Sequence, residues 1–500
     1  MKRAAVLLLG GTLALASLVL LPTPAHANIQ TAGRLTLTSA SVVQGGVVTA
    51  KGWLPPRAAR TVLLQRRTSW GWSALDRSKT TDRGRFSFTY SADIAPGRIL
   101  VRVFAPRRKI DGKVFHMVKT PRRYLVVKAE PQVPGDIARV TSGSNRSDRA
   151  TLSADGRFVL FDSLAPDLVS GDTNDYQDVF VHDRDTGTTT AITNGRGTSY
   201  AGAISGDGRY VVFDSYASSL VPDDTNQSRD VFVYDRETDV TTRITDGNDG
   251  SYASGVSADG RFVVYYSYAS DLAPDDTNGY RDVFVYDREL LTTTKVTGGN
   301  GAALAPAISA DGRWVSFYSG ASNLVPGDRN HTRDVFLYDR ETATTTRITN
   351  GNGASYSSPL ALSGDGRYVA FYSLASDLVD GDTNERSDIF VYDQATATTT
   401  QLTRGNNHSA DPSFSTDGQH VAFESFASDL ARGDVNDHND VFVYDVATGM
   451  TTRLTNGGGP SYGAASSADG GFIAFTSLAG DLTPGDTNNM DDIFVWTRTG

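Results

Sequence analysis

The 500-residue chain has no cysteine, which excludes disulfides, thiolate metal sites and a cysteine nucleophile. Hydrophobic residues at 39% and charged residues at 21% exclude both a polytopic membrane protein and a wholly disordered chain. The formal net charge of −10 hides a split: residues 28–136 carry 20 Lys+Arg against 6 Asp+Glu, and residues 137–500 carry 25 against 51. Asymmetry of this size marks separate domains with separate partners.

Lys2 and Arg3, the apolar run Ala4–Leu21 and the small-x-small site Ala25-His26-Ala27 read as a secretory signal peptide over residues 1–27. Cleavage after Ala27 is the expectation, with no membrane span left behind. The mature chain is then expected to be secreted and extracellular, or associated with the cell envelope.

Residues 28–128 read as all-β. Arg85–Tyr90 and Ile99–Phe104 alternate strictly, and Gly45-Gly46, Asp82-Arg-Gly84 and Pro96-Gly97 punctuate the strands. About seven short strands fit an immunoglobulin-like β-sandwich. Arg107, Arg108, Lys109, Lys113, Lys119, Arg122 and Arg123 form a basic cluster near its end. That cluster suits an anionic wall polymer or acidic polysaccharide, or docking on the acidic half, or solvent alone. Nucleic acid is not an expected partner of an exported chain. Residues 129–136, rich in Pro and Gly, read as a linker.

Residues 137–500 form an array. An Asp-Gly turn recurs at Asp155, Asp207, Asp259, Asp311, Asp365, Asp417 and Asp469, a period of 52 residues with one step of 54. Each repeat predicts four strands: in the second, A over Tyr200–Ser205, B over Arg209–Ser215, C over Asp230–Asp235 and D over Thr241–Thr245. The seventh repeat has A, B and C only, while a D-type strand, Ala138–Thr141, precedes the first. In a ring that strand completes the last blade and removes sheet edges. The fold expected is therefore all-β: a closed seven-bladed β-propeller of four strands per blade, preceded by the sandwich.

The recurrent Ser205-Gly-Asp-Gly-Arg-Tyr-Val-Val-Phe213, Asp230-Val-Phe-Val-Tyr-Asp235 and Thr242-Arg-Ile-Thr245 pattern resembles the TolB-type, WD40-like propeller repeats of bacterial envelope proteins. The resemblance covers about residues 137–496 in all seven units. It implies a propeller and binding of protein or glycan partners. TolB-type units are shorter; the extra length here lies between strands B and C.

That extra loop carries Asp-x-Asn-x3-Asp seven times: Asp172/Asn174/Asp178, Asp224/Asn226/Asp230, Asp276/Asn278/Asp282, Asp328/Asn330/Asp334, Asp382/Asn384/Asp388, Asp434/Asn436/Asp440 and Asp486/Asn488/Asp492. Two readings stay open. Oxygen ligands at alternate positions suit Ca²⁺, the one cofactor the sequence offers. Asp and Asn also build Asx-turns without any metal. Either role is structural, because catalysis needs a site once.

A single functional site belongs where the repeats differ. The residue after the strand-B aromatic is Asp162, Asp214, Tyr266, Tyr318, Tyr372, Glu424 and Thr476 in chain order. Acids on one side of a ring and tyrosines on the other suit a sugar or a cation. If the chain is an enzyme, Asp162, Asp214 and Glu424 are its acid/base candidates. Tyr200, Tyr252, Tyr356 and Tyr462 join Tyr266, Tyr318 and Tyr372 as candidate binding residues on the face shared by the B–C and D–A loops. The Gly459-x-Ser461-x-Gly463 match to a nucleophile elbow lacks the following helix. The function expected is a monomeric, non-catalytic binding or scaffold protein. Its loop face would take an envelope protein or polysaccharide, and its basic domain would tether it. The alternative is a calcium-dependent lectin or glycan-active enzyme.

Overall fold

The structure, a computed structural model, describes residues 30–37, 41–43, 47–55, 58–68, 71–91, 97–110, 113–128, 135–431, 434 and 436–499. The expected signal peptide lies outside these residues, as does most of the expected linker. Every regular element described is a β-strand. Among the described residues there is no helix long and apolar enough to cross a membrane. The chain divides into two compact bodies, Met1–Gln132 and Val133–Gly500.

In the N-terminal body, Gln30–Thr31, Val118–Lys119, Gly97–Ala105, Arg123–Lys128 and Ser41–Val43 form one sheet, extended from Gly97–Ala105 by Thr61–Thr68 and then Gly71–Lys79. Arg34–Leu37, Val47–Trp53 and Arg85–Ser91 form a second sheet. Strict alternation puts one side chain in two inward. Leu35, Ala50, Phe86 and Phe88 of the small sheet thus share one core with Val62, Leu64, Val101, Val103 and Ala105 of the large one.

The C-terminal body contains seven four-stranded antiparallel sheets among the described residues. Sheet 2 is typical: Ser199–Ile204, Tyr210–Ser215, Asp230–Asp235 and Val240–Arg243, paired in chain order. The two middle strands of each sheet are near-continuous in Val, Phe and Tyr because both faces are covered by neighbouring sheets. Phe213 and Phe232 stack at 5.4 Å between them, and the equivalent pair recurs in every sheet.

Sheet 7 joins Ser461–Ser466, Phe472–Ser477 and Asp492–Arg498 to Gly135–Arg139, with Ile137 opposite Trp496. This outer strand starts at Gly135 and ends at Arg139, where the sequence placed it over Ala138–Thr141 and placed Gly135 and Asp136 in a linker. Backbone pairing to Arg498 and Thr497 draws those two residues into the sheet. Thr141 lies just beyond it. Its hydroxyl donates to Asp492 (2.7 Å) and accepts from the Ile493 amide (2.9 Å), as Thr245 does with Asp230 and Val231.

The Asp-Gly turns link sheet to sheet. Ala154 N–H donates to Gly206 O, Gly206 to Ala258, Ala258 to Ala310, Ala310 to Gly364, Gly364 to Thr416, Asp417 to Ala468, and Ala468 back to Ala154, all at 2.8–3.0 Å. The belt returns to its starting residue after seven steps. Glycine is required in these turns: Gly312 has φ +75°, and a Cβ there would meet Phe262 at 2.2 Å.

Candidate functional site

The B–C and D–A loops share one face, and the Asp-x-Asn motif holds them together. Asn226 Nδ2 donates to Gly247 O in the D–A loop, and its Oδ1 accepts from Ser228 N–H, an Asx-turn. Asn278, Asn330, Asn384, Asn436 and Asn488 bond the second Asp of their motif and the equivalent glycine carbonyl; Asn174 takes Asp178 and Asn194. The second Asp also accepts from the threonine two residues beyond the outer strand in all seven sheets.

The positive charge these acids face comes from the chain itself. Arg243 reaches Asp224 and Asp230, Lys295 reaches Asp276 and Asp282, Arg347 reaches Asp328 and Asp334, Arg453 reaches Asp434 and Asp440, and Arg139 reaches Asp486 and Asp492. In the first motif (Asp172, Asn174, Asp178) this strand-D position is Ala191. In the fifth (Asp382, Asn384, Asp388) it is Gln401, whose amide donates to Asp388. Burial pushes the Asp178 and Asp230 carboxyls up to about 6. No group of three or more His, Asp or Glu side chains is arranged to hold a metal ion among the described residues. The geometry built by the motif is an Asx-turn closed, in five sheets, by a basic side chain.

The three acids nominated from strand B are built into the sheet contacts. Asp162 is 1% exposed and accepts from Ala201 N–H (2.9 Å) and Gln177 Nε2 (2.8 Å), with Arg149 at 3.4 Å. Burial pushes its carboxyl up to about 7. Asp214 accepts from Ala253 N–H (2.9 Å) and is paired with Arg229. Glu424 accepts from Gly463 N–H (2.9 Å), and burial, then neighbouring Asp411, raises its carboxyl. Each thus receives the strand-A amide of the next sheet. Ser461 is fully buried against Ser477 (2.9 Å), as its counterparts are in other sheets, so no nucleophile is presented there.

At the centre of the loop face lies a cavity of about 430 Å³. Its wall includes Arg149, Tyr200, Asp214, Arg229, Tyr252 and Tyr266 on one side and Asp411 and Gly463 on the other. Pro359 and Leu360 also line it, and they line a second, narrower cavity of about 140 Å³ reached by residues of every sheet. These two residues come from the one repeat with the longer spacing. Strand A of sheet 5 is correspondingly reduced to Ser355–Tyr356.

The expected tyrosine side is an aromatic row. Tyr252 and Tyr266 stack at 4.8 Å; Tyr356 stacks on Tyr372 at 5.0 Å and meets Tyr318 edge-on at 5.2 Å. Tyr200 lies beneath Arg229 and Arg149, whose guanidinium carbons are 3.9 and 4.4 Å from its ring centre. Tyr462 stands apart, with its hydroxyl toward Asp491.

Sequence reading missed a second break in symmetry. The residue before strand C is Gln177, Arg229, Arg281, Arg333, Ser387, Asn439 and Asp491 in chain order. Three arginines on sheets 2, 3 and 4 therefore crown the aromatic row. Arg281 lies 4.2 Å from the Tyr268 ring centre and 5.8 Å from those of Tyr252 and Tyr266; Arg333 donates to the Tyr356 hydroxyl (3.1 Å). The signal was available at a fixed spacing of 52 residues. Opposite them Asp411 has φ +48°, and its side chain forms no ion pair or hydrogen bond among the described residues. It keeps solvent access through the cavity, while burial on its other sides raises its carboxyl.

No protein-family model matches the chain, and no curated protein matches it. Among solved structures, the chain is similar to an oligogalacturonate lyase in complex with manganese, at 15% identity over 73% of this chain and 93% of that one, with a TM-score of 0.50. It is also similar to TolB from Acinetobacter baumannii (15% identity, 73% and 79% covered, TM-score 0.37) and to a putative TolB from Agrobacterium tumefaciens (15%, 72% and 100%, TM-score 0.39). At this identity the likeness concerns the fold alone: the C-terminal body is built as a β-propeller.

Proposed function

We propose that this is an exported, non-catalytic binding protein. Its C-terminal body is a closed seven-bladed propeller completed by the Gly135–Arg139 strand, and its N-terminal body, residues 28–128, is an immunoglobulin-like sandwich. The seven sheets and the returning belt of hydrogen bonds support the first reading; two sheets sharing one core support the second. The loop face takes an envelope glycan or protein. The observation that carries this is the cavity at its centre, ringed by arginines and tyrosines found in only some of the repeats. Burial of Asp162 and Asp214 against amides and arginines favours binding over acid/base chemistry.

The N-terminal body is the tether. Arg102, 8% exposed, lies 3.9 Å over Trp72, with Arg122 at 5.6 Å from the same ring. Burial and the neighbouring charges of Arg122 and Arg67 depress its basicity. Three neighbouring cations attract a polyanion.

The test is retention of the full chain on cell-envelope fractions, with R67Q/R122Q and Y252S/Y266S variants alongside. Retention weakened by each pair supports the reading. Release of cleaved glycan by the wild type, or retention indifferent to both pairs, overturns it.

A further inference from the structure

An acid that strand B buries at the axis needs a neutralising partner, because a buried charge left alone is costly. On sheet 1, Asp162 has Arg149 at 3.4 Å and the Gln177 amide at 2.8 Å. On sheet 2, Asp214 has Arg229. On sheet 6 the same position is Glu424, and no cation of the chain reaches it among the described residues. The residue before strand C, arginine on sheet 2, is Asn439 here, and its side chain bonds Glu424. The strand-A position that carries Arg149 on sheet 1 carries a second acid here, Asp411. Ala410 pairs with Glu424 across strands A and B, so Asp411 stands next to that carboxylate, and its charge adds to burial in raising Glu424. Asp411 lines the axial cavity, and its side chain has no partner among the described residues. Asn439 is 5% exposed, and its buried Oδ1 likewise has no hydrogen-bond partner there. Acceptors gather at this corner, and the chain supplies no cation to meet them.

We propose that the axial cavity takes a lysine side chain of a protein partner, with its ammonium against Asp411 and its methylene stem on the apolar part of the wall. The proposal rests on the binding reading above and names the chemistry of the partner. The arginines of the wall, Arg149 and Arg229, are paired with Asp162 and Asp214, so Asp411 is the unpaired charge that the cavity presents. An ammonium has three N–H donors and no acceptor, and it is a compact charge that needs no planar fork of carboxylate oxygens. Ala150, Pro359, Leu360 and Ala464 line the same cavity, and they suit a methylene stem better than a ring of hydroxyls. The volume of about 430 Å³ admits one such side chain, and Pro359 and Leu360 narrow the channel beneath it. A protein is favoured over a free amine by the rim. The residue just after strand B is large, apolar and exposed on five sheets: Tyr216, Tyr268, Leu374, Phe426 and Leu478. A protein interface covers such side chains, and a small solute leaves them wet. Residues 137–500, with 25 Lys+Arg against 51 Asp+Glu, also attract a basic partner over distance.

The test is a nuclear magnetic resonance titration of the full chain with an end-blocked glycine pentapeptide carrying one central lysine. The same peptide with its lysine Nε-acetylated is the neutral probe, and a glucosamine oligosaccharide is the competing amine. Acetylation is expected to weaken binding at least about tenfold, and affinity for the free lysine is expected to fall as salt rises. D411N is expected to lose about tenfold while melting no lower than the wild type, since it removes a charge beside Glu424. D175N removes an exposed charge from a loop of the same face and is expected to leave binding unchanged. Equal binding of the acetylated peptide, indifference to D411N, or tighter binding of the glucosamine oligosaccharide overturns the assignment. If neither amine binds while the envelope fraction still retains the chain, and that retention is lost with Y252S/Y266S, only the lysine assignment falls. If nothing engages this face, the binding reading falls with it.

Discussion

Replacing Arg347 with methionine tests the loop architecture most sharply. Arg347 Nη1 is 2.9 Å from Asp328 and 3.8 Å from Asp334, whose side chains are 4% and 0% exposed. Methionine keeps much of the aliphatic volume and removes the charge. Two buried carboxylates are then left facing each other, and breaking a buried pair in this way costs about 3–5 kcal/mol. For a body of this size that is a fall in Tm on the order of 5–10 °C. The cost depends on pH. Burial already raises the Asp334 carboxyl, and removing the arginine raises it further. A group whose folded pKa is raised contributes stability below its unfolded pKa, near 3.9, and loses it as pH rises through the folded value. The deficit of R347M is therefore largest near pH 8 and smaller near pH 5. Thermal and urea unfolding of wild type and R347M at both pH values measures this. A deficit under about 1 kcal/mol at pH 8, or one no smaller at pH 5, refutes the clamp.

Other substitutions probe other contacts. Thr349→Val removes the hydroxyl that accepts from Val335 N–H (2.9 Å) and donates to Asp334 (2.7 Å), leaving a buried amide unpaired; urea unfolding is expected to show a loss of about 1–3 kcal/mol. Gly312→Ala combines a positive φ with a Cβ contact of 2.2 Å on Phe262, and is expected to cost at least about 1–3 kcal/mol in the same assay. Asp162, raised to about 7 by burial from an ordinary 3.8, stabilises the fold below pH 4 and loses about 4 kcal/mol of that contribution as pH rises to 8. The stability of D162N relative to wild type should therefore improve steadily over that interval; a pH-independent difference contradicts the assignment.

Much of the propeller is legible because its determinants are local. Asp-Gly fixes the A–B hairpin, and the Val/Phe runs of strands B and C need only burial on both faces. Strand A is less legible. Its register shifts, as between Ala201 and Ala203, where a backbone amide turns to Asp162 of the preceding sheet, and nothing in the strand's own residues announces that partner. The Asp-x-Asn loops show the same limit. Their composition admits calcium, and the side chain that neutralises them, Arg243 for Asp224, stands 19 residues downstream on strand D. The acid–tyrosine asymmetry was visible at one position per repeat. The arginines that neutralise part of it occupy another, so Arg229 turns Asp214 from a free acid into half of an ion pair. Asp411 became visible only once the strand-A bulge had turned it to the axis.

Hydrogen–deuterium exchange on the full chain, with and without the envelope fraction that retains it, tests the central claim directly. A ligand seated at the axis of the loop face protects the strand-A and strand-B residues around Tyr200, Tyr252, Tyr266 and Asp411, together with the segment leading into Arg229. Unchanged exchange there, with protection confined to the opposite face around Glu237 and Leu290, contradicts it.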